Sequence, residues 1–223
     1  MPRSPELQEQ WALLDSQEYR RAFEDTFALR RELQGADLHD AHKLMGLACY
    51  RQRWYRQATL WFKKACQGSD EAGDWCNLAT SATMQGNGEL GAEAFEQVRI
   101  CQQAAKYQQE PSFHEQLYWY ACALCDTEQH AALRPLLDEL ANVYGRLHCT
   151  EAPFLYVRRV PFLSCFLALA TRSFRKQETY LDGAIWMRAF GETLDKEGQR
   201  QVGDAIRELN RAKVEDGSSG DKA

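Results

Sequence analysis

Proline is scarce in this sequence and is missing from one long stretch of it. The six prolines are Pro2, Pro5, Pro111, Pro135, Pro153 and Pro161, which leaves residues 10–110 without any. Proline interrupts helices, and this interval is rich in the good helix formers Ala, Leu, Gln, Glu and Arg. The chain also lacks segments in which apolar and polar residues alternate, the pattern of a half-buried strand. We therefore predict an all-α fold.

Long hydrophobic runs are also absent. The most apolar segment, residues 160–170, contains Pro161 and is shorter than the ~20 residues that span a bilayer. We expect a buried helix there and no association with a membrane. The first residues lack the apolar stretch of a secretory signal, which predicts a cytoplasmic location. The eight cysteines are then expected to be reduced thiols packed among apolar residues.

The chain has no excess of positive charge and no short catalytic motif. Its formal net charge is −5, which disfavours binding to nucleic acid. It contains neither a nucleophile elbow, nor a P-loop, nor a glycine-rich dinucleotide motif. We predict that the protein is not an enzyme and uses no cofactor.

An internal repeat is the most informative pattern in the sequence. Four pairs of residues of similar size are separated by the same 33 positions: Gly46 and Ala79, Ala58 and Gly91, Phe62 and Phe95, Ala65 and Val98. The breaks between helices agree with this offset, since residues 51–53 and 85–88 occupy equivalent places. Each unit is thus predicted to be a hairpin of two helices, which must stack on its neighbours to bury its apolar face.

The repeat resembles the tetratricopeptide repeat (TPR), a helical hairpin of about 34 residues. The matching residues are Gly46, Ala58, Phe62 and Ala65 in the first repeat, and Trp75, Leu78, Ala79 and Phe95 in the second. The first repeat departs from the motif at His42 and Cys49, where Trp and Tyr are usual. The resemblance is clear over residues 39–105, and looser units that flank these two repeats extend it over residues 5–145.

The resemblance implies a TPR-like right-handed α-solenoid, with residues 1–145 as the hairpin array. Residues 146–215 are predicted to continue it and to end in a C-terminal capping helix, and residues 216–223 to form a flexible tail. Arrays of this family bind peptides in a concave groove. The groove positions implied here are Lys43, Leu47, Tyr50, Asn77, Thr80, Met84, Tyr118 and Cys122.

The leading functional hypothesis is a scaffold or adaptor that binds another polypeptide in this groove. One alternative is a dedicated cytosolic chaperone for a secreted or assembling subunit, and another is an RNA-associated repeat protein. Recognition of chaperone tails is disfavoured, because Glu115 and Trp119 stand where such repeats carry cations. Self-association through an end of the stack is compatible with the pattern.

A second candidate surface is the segment from Tyr50 to Arg56. Its aromatic residues are interleaved with cations, and the alternative patch consists of Arg51, Arg53, Trp54 and Arg56. Stacking and charge of this kind suit either RNA or an acidic peptide. The simpler interpretation is that Tyr50 and Tyr55 pack inside the hairpin while the arginines are solvated.

Two possible metal sites are expected to be structural instead. Cys122 and Cys125 have the spacing of a zinc or redox pair but no second pair to complete four ligands. His39 and His42 are spaced to share a helix face, yet no third ligand is evident. We predict that the protein binds no metal.

Overall fold

The computed structural model describes residues 4–105 and 110–220, and in this part of the chain every regular element is an α-helix. The first six helices are α1 (Pro5–Asp15), α2 (Tyr19–Leu29), α3 (Gly35–Arg51), α4 (Tyr55–Ala65), α5 (Ala72–Met84) and α6 (Gly88–Ala104). The next six are α7 (Phe113–Asp126), α8 (His130–Leu147), α9 (Ala152–Val157), α10 (Leu163–Lys176), α11 (Tyr180–Gly191) and α12 (Lys196–Gly220). The prediction of an all-α fold is confirmed. No helix among the described residues is both long enough and apolar enough to cross a membrane.

The chain divides into two compact units, with the boundary between Glu110 and Pro111. In the first unit each helix from α1 to α5 packs against the helix that follows it, and α3 also contacts α1 and α5. In the second unit α7 packs on α8, while α10 contacts α7, α8, α11 and α12. Packing between successive helices is what stacked hairpins require, so the first unit is compatible with the predicted array.

In two hairpins of the first unit, α3–α4 and α5–α6, small residues let the two helices approach closely. The ring of Phe62 on α4 lies against Gly46 on α3, so close that a β-carbon at position 46 would be only 2.5 Å from its Cε1 atom. In the next hairpin Gly91 on α6 lies against Thr83 and the carbonyl of Ala79 on α5. The 33-residue offset therefore places glycine at a helix crossing in both hairpins, but on opposite helices.

The ends of the helices follow from local sequence. Asn87 caps α6 by accepting a hydrogen bond from the backbone of Leu90 at 3.1 Å. Ser112 and Glu115 form a capping box that starts α7 just after the predicted loop at residues 110–112. The wide spacing between Trp75 and Leu117 predicts that residues 102–111 extend the second helix of repeat two. Helix α6 ends at Ala104, and residues 106–109 lie outside the described part of the chain.

The core of the second unit is a cluster of aromatic side chains from α8, α10 and α11. Tyr144 stacks on Phe166 with ring centroids 5.2 Å apart, and Phe166 meets Phe190 edge-on at 5.6 Å. Trp186 stacks on Phe190 at 5.8 Å and donates its indole N–H to Asp138 at 2.7 Å. This cluster joins three helices, and offset or edge-on ring pairs add to the stability that burial provides.

The apolar segment around Pro161, for which the sequence leaves one helix or two open, forms two helices, α9 and α10. Helix α12 buries a narrow stripe of Val202, Ala205, Leu209 and Ala212 against α10 and α11, as a capping helix would. It continues through Gly220, across the first part of the predicted tail, and residues 221–223 lie outside the described residues.

Candidate functional site

The structure places the predicted groove residues on three helices. Lys43, Leu47 and Tyr50 are on α3, Asn77, Thr80 and Met84 are on α5, and Tyr118 and Cys122 are on α7. Helices α3 and α5 contact each other in the first unit, so six of these residues belong to one packed pair of helices. Most are half-buried, but Thr80 is buried and donates its hydroxyl to the carbonyl of Cys76 at 3.0 Å. Tyr118 and Cys122 belong to the second unit.

The cation of the predicted groove has partners within the protein. Lys43 Nζ lies 2.7 Å from a carboxylate oxygen of Glu71 and 3.1 Å from one of Asp74, and Asp74 has no solvent exposure. Burial opposes the charged form of Lys43, but the hydrogen bonds and charges of the two carboxylates outweigh it and raise its pKa. The hydrogen bond from Lys43 lowers the pKa of Glu71. This lysine therefore links α3 to the start of α5 before any ligand is considered.

The same carboxylate organises the residues around it. Ser69 donates its hydroxyl to Asp74 at 2.6 Å, and Trp75 donates its indole N–H to the carbonyl of Ser69 at 3.2 Å. His39 Nε2 lies 2.9 Å from Asp74, in a contact that is not aligned as a hydrogen bond. Lys43 and His39 were candidate residues from the sequence, but Asp74 was not. The signal for Asp74 was an acidic residue between apolar ones near the start of a helix.

Among the described residues, one group could offer three ligand atoms to a metal ion. It consists of His39, Glu71 and Asp74, whose ligand atoms all lie within 4.8 Å of one another. The ammonium group of Lys43 already contacts both carboxylates, so a metal ion would have to displace it. Two carboxylates that share one lysine form an ion-pair network, which favours a structural role for this cluster.

The second histidine considered as a ligand faces elsewhere. His42 stacks on Trp61 with ring centroids 5.8 Å apart, next to the rings of Phe23 and Phe27 from α2. Burial lowers the pKa of His42, and the positive charges of Lys64, His39 and Arg30 lower it further. His39 and His42 therefore have different partners despite their helical spacing.

The alternative patch lies at the turn between α3 and α4. Arg51, Arg53, Trp54 and Arg56 are all exposed. Tyr50 and Tyr55 pack edge-on against each other with centroids 5.3 Å apart, as the simpler interpretation expected. Trp54 is thus the exposed aromatic residue of this segment, beside three solvated arginines.

The cysteines near the predicted redox pair lie in a packed environment. Cys125 is buried and Cys122 is half-buried on α7, and all eight cysteines are free thiols. Burial raises the pKa of Cys122 to about 11, against a weaker opposing effect of the Tyr118 hydroxyl and Arg172. A thiol that is hard to ionise is a poor nucleophile, which favours a packing role for this pair.

The second unit contains a surface cleft that the sequence did not reveal. It has a volume of about 640 Å³ and lies between α7, α9 and the segment that leads into α10. Its lining includes four large apolar side chains that face solvent: Trp119, Tyr156, Val157 and Phe162. Tyr156 and Val157 are 74% and 76% exposed, an unusual degree for apolar residues that neighbour each other. Their clustering around a concavity indicates a binding surface.

The floor and rim of this cleft are held by hydrogen bonds. Ser112 donates its hydroxyl to the carbonyl of Arg159 at 2.6 Å, and Tyr144 donates to the carbonyl of Pro161 at 2.7 Å. The segment between α9 and α10 is thereby fixed to two other helices. Of the predicted groove residues, Tyr118 lines the cleft. The run Tyr118-Trp119-Tyr120 was a usable signal, since three consecutive aromatic residues on a helix cannot all face one core.

Comparison with protein families, with curated proteins and with solved structures gave no match.

Proposed function

We propose that this protein is a scaffold or adaptor of the TPR-like type that binds a segment of another polypeptide in the cytoplasm. The observation that carries the proposal is the apolar cleft of the second unit. The occupant that fits it is a short segment with large apolar side chains and a flanking acidic residue, because exposed Arg158 and Arg159 lie where α9 ends.

The packing of the first unit supports the repeat part of the proposal. Its helices contact their neighbours in chain order, and two of the repeated glycines, Gly46 and Gly91, lie where the helices of a hairpin approach each other closely. Folds of stacked hairpins most often serve as binding surfaces for other polypeptides.

The cleft supports the binding part. Exposed Trp119, Tyr156, Val157 and Phe162 would each lose contact with water when an apolar segment covers them. Burying apolar surface contributes roughly 25 cal/mol per Å², and aromatic anchors in a pocket dominate many interfaces. The hydrogen bonds of Ser112 and Tyr144 hold the segment between α9 and α10 in place. Little conformational entropy of this segment is therefore lost when a ligand binds.

The test is affinity capture with a cleft variant and a matched control. The cleft variant is Tyr156→Ser with Val157→Ser. The control is Leu181→Ser with Ile185→Ser, which removes two apolar residues that are 68% and 56% exposed on α11. We expect a protein that is captured by the wild type and the control but lost by the cleft variant.

A photo-crosslinking residue at position 119 then identifies the bound segment, and a synthetic copy of that segment should bind the purified protein. Equal capture by all variants would overturn the assignment of the cleft. Loss only in an Asn77→Ala, Met84→Ala variant would move the site to the predicted groove on α3 and α5. Failure of the captured partner to stay soluble without this protein would instead favour the chaperone alternative.

A further inference from the structure

One segment of this acidic protein carries a net positive charge. Residues 41–69 contain no Asp or Glu but hold six cations: Lys43, Arg51, Arg53, Arg56, Lys63 and Lys64. The chain has 27 cations and 32 anions in all, so the remaining residues carry 21 cations and 32 anions, a net charge of −11. A local field of opposite sign to the rest of the molecule favours a particular kind of partner.

Helix α4 presents half of these six cations on one face. Arg56, Leu60, Lys63 and Lys64 are separated by four, seven and eight positions, which places them on the same side of a helix. All four are exposed, whereas Ala58, Thr59, Phe62 and Ala65 on the other side are buried. We call this surface, together with Arg53 and Trp54 of the preceding turn, the basic face of α4.

Within the described part of the chain, the cations of the basic face have no carboxylate partner. Arg53, Arg56 and Lys63 form no ion pair with any residue that the structure describes, and Lys64 lies 4.4 Å above the ring of Trp61. Helix α2 differs, since Arg20 and Arg21 pair with Glu24 and Asp25 one turn later. Lys43, the third lysine of residues 41–69, already forms ion pairs with Glu71 and Asp74.

The position of Arg56 adds to the unbalanced charge. It lies in the first turn of α4, a helix that has no acidic residue in that turn and no side-chain cap. A cation at this end of a helix meets the positive end of the helix dipole, whereas an anion there would be stabilised. A carboxylate supplied from outside would therefore interact with the arginines and with the end of the helix together.

We propose that the basic face of α4 is a second docking surface, separate from the cleft, for an acidic amphipathic segment of a partner protein. Leu60 and Trp54 are exposed among the cations, so the segment would place apolar side chains between its Asp and Glu residues. RNA fits less well. Trp54 alone is left exposed for stacking, since Tyr50 and Tyr55 pack on each other. The charge of −11 elsewhere also repels a long polyanion.

The experiment uses the full chain and a displayed library of random 16-residue peptides. The test variant is Arg56→Glu with Lys63→Glu, and the control is Arg188→Glu with Arg211→Glu, two exposed cations of the second unit. Each pair of reversals changes the net charge from −5 to −9, so only the location differs. Peptides selected on the wild type should be enriched in Asp and Glu with interspersed Leu, Phe or Trp.

We expect a fluorescent copy of the most enriched peptide to bind the test variant at least tenfold more weakly than the wild type, and the control about as well as the wild type. Its affinity should fall as salt rises. The cleft variant Tyr156→Ser, Val157→Ser should bind it normally, which separates this proposal from the previous one. Selected peptides without acidic enrichment, or equal loss in both charge variants, would overturn it. So would tighter binding of a 15-nucleotide single-stranded RNA or of phosphatidylserine vesicles at the same face.

Discussion

Lys43 on α3 lies 3.1 Å from Asp74 on α5, a carboxylate that has no contact with solvent. The two residues belong to successive hairpins, so the pair fixes one hairpin relative to the next. A buried carboxylate is costly unless it is compensated, and here Lys43, Ser69 and His39 surround it. The residue implied as a ligand-binding cation is therefore part of the structural core of the first unit.

Replacing Lys43 with Met should destabilise the protein. The substitution keeps most of the apolar stem but leaves Asp74 without its cation, and removing one partner of a buried pair costs about 3–5 kcal/mol. We expect the lower end of this range, since Ser69 and His39 still face the carboxylate. The free energy of unfolding in urea is the measurement.

Two further variants test this explanation. Lys63→Met, on the exposed face of α4, should change the stability by no more than about 0.5 kcal/mol. Adding Asp74→Asn to Lys43→Met should restore part of the loss, because the uncompensated charge disappears. A double variant no more stable than Lys43→Met alone would contradict the assignment of the loss to the charge of Asp74.

Mild acid should destabilise the protein through His42. Burial holds its pKa below the ordinary value, so the unfolded chain binds a proton more readily than the folded one. Stability that is present at neutral pH is then lost as the pH falls through the ordinary histidine range of about 6.5. His42→Phe keeps a ring over Trp61 but cannot titrate. Its midpoint of urea unfolding should therefore fall less between pH 7.5 and 5.5 than that of the wild type.

His114 on α7 also has a pKa lowered by burial, although the charges of Glu139 and Glu115 oppose the shift. Some acid sensitivity should therefore persist in His42→Phe. Identical pH dependence of the wild type and His42→Phe would show that burial does not disfavour protonation of His42.

The thiols should differ widely in their reactivity. Cys165 is exposed at the rim of the cleft, whereas burial raises the pKa of Cys76 to about 12. Since the thiolate is the reactive form, iodoacetamide at pH 8 should label Cys165 first and Cys76 only after unfolding. Mass spectrometry of a time course gives the order, and Cys165→Ser should remove the fastest site. Early labelling of Cys76 would contradict the packing of α5.

The fold class and the hairpins were readable from the sequence because they depend on local composition and on spacing. The absence of proline from residues 10–110 reflects helix formation, and the 33-residue offset reflects the crossing of helices within each hairpin. Both signals come from short segments of the chain. The offset also places Gly46 and Gly91 on opposite helices of their hairpins, but it did not show that Gly46 lies against the ring of Phe62.

The candidate sites were less predictable, because they depend on which exposed residues come together in three dimensions. Tyr156 and Trp119 are 37 positions apart in the sequence. Both line the cleft only because α9 and α7 border it. Lys43 was expected to face a ligand, but whether a lysine is free depends on distant carboxylates such as Asp74. Spacing within one helix gives no information about such partners.

Two glycines of the chain illustrate opposite roles of a missing side chain. A β-carbon at Gly46 would lie 2.5 Å from the ring of Phe62, a distance that forces the ring or the helix to move. At Gly203, in the middle of α12, the nearest atom would be the Arg207 guanidinium at 3.7 Å, an ordinary contact. Glycine is needed for packing at the first position but only weakens a helix at the second.

Gly46→Ala and Gly203→Ala should therefore change stability in opposite directions. The first is expected to cost about 1–3 kcal/mol, as overpacking of a filled core does. The second should stabilise by up to about 1 kcal/mol, the difference in helix propensity between alanine and glycine. Adding Phe62→Leu should recover part of the loss in Gly46→Ala, since the smaller side chain makes room for the new methyl group. Thermal unfolding of the four proteins measures these effects, and a stabilising Gly46→Ala would show that α3 and α4 do not cross at this glycine.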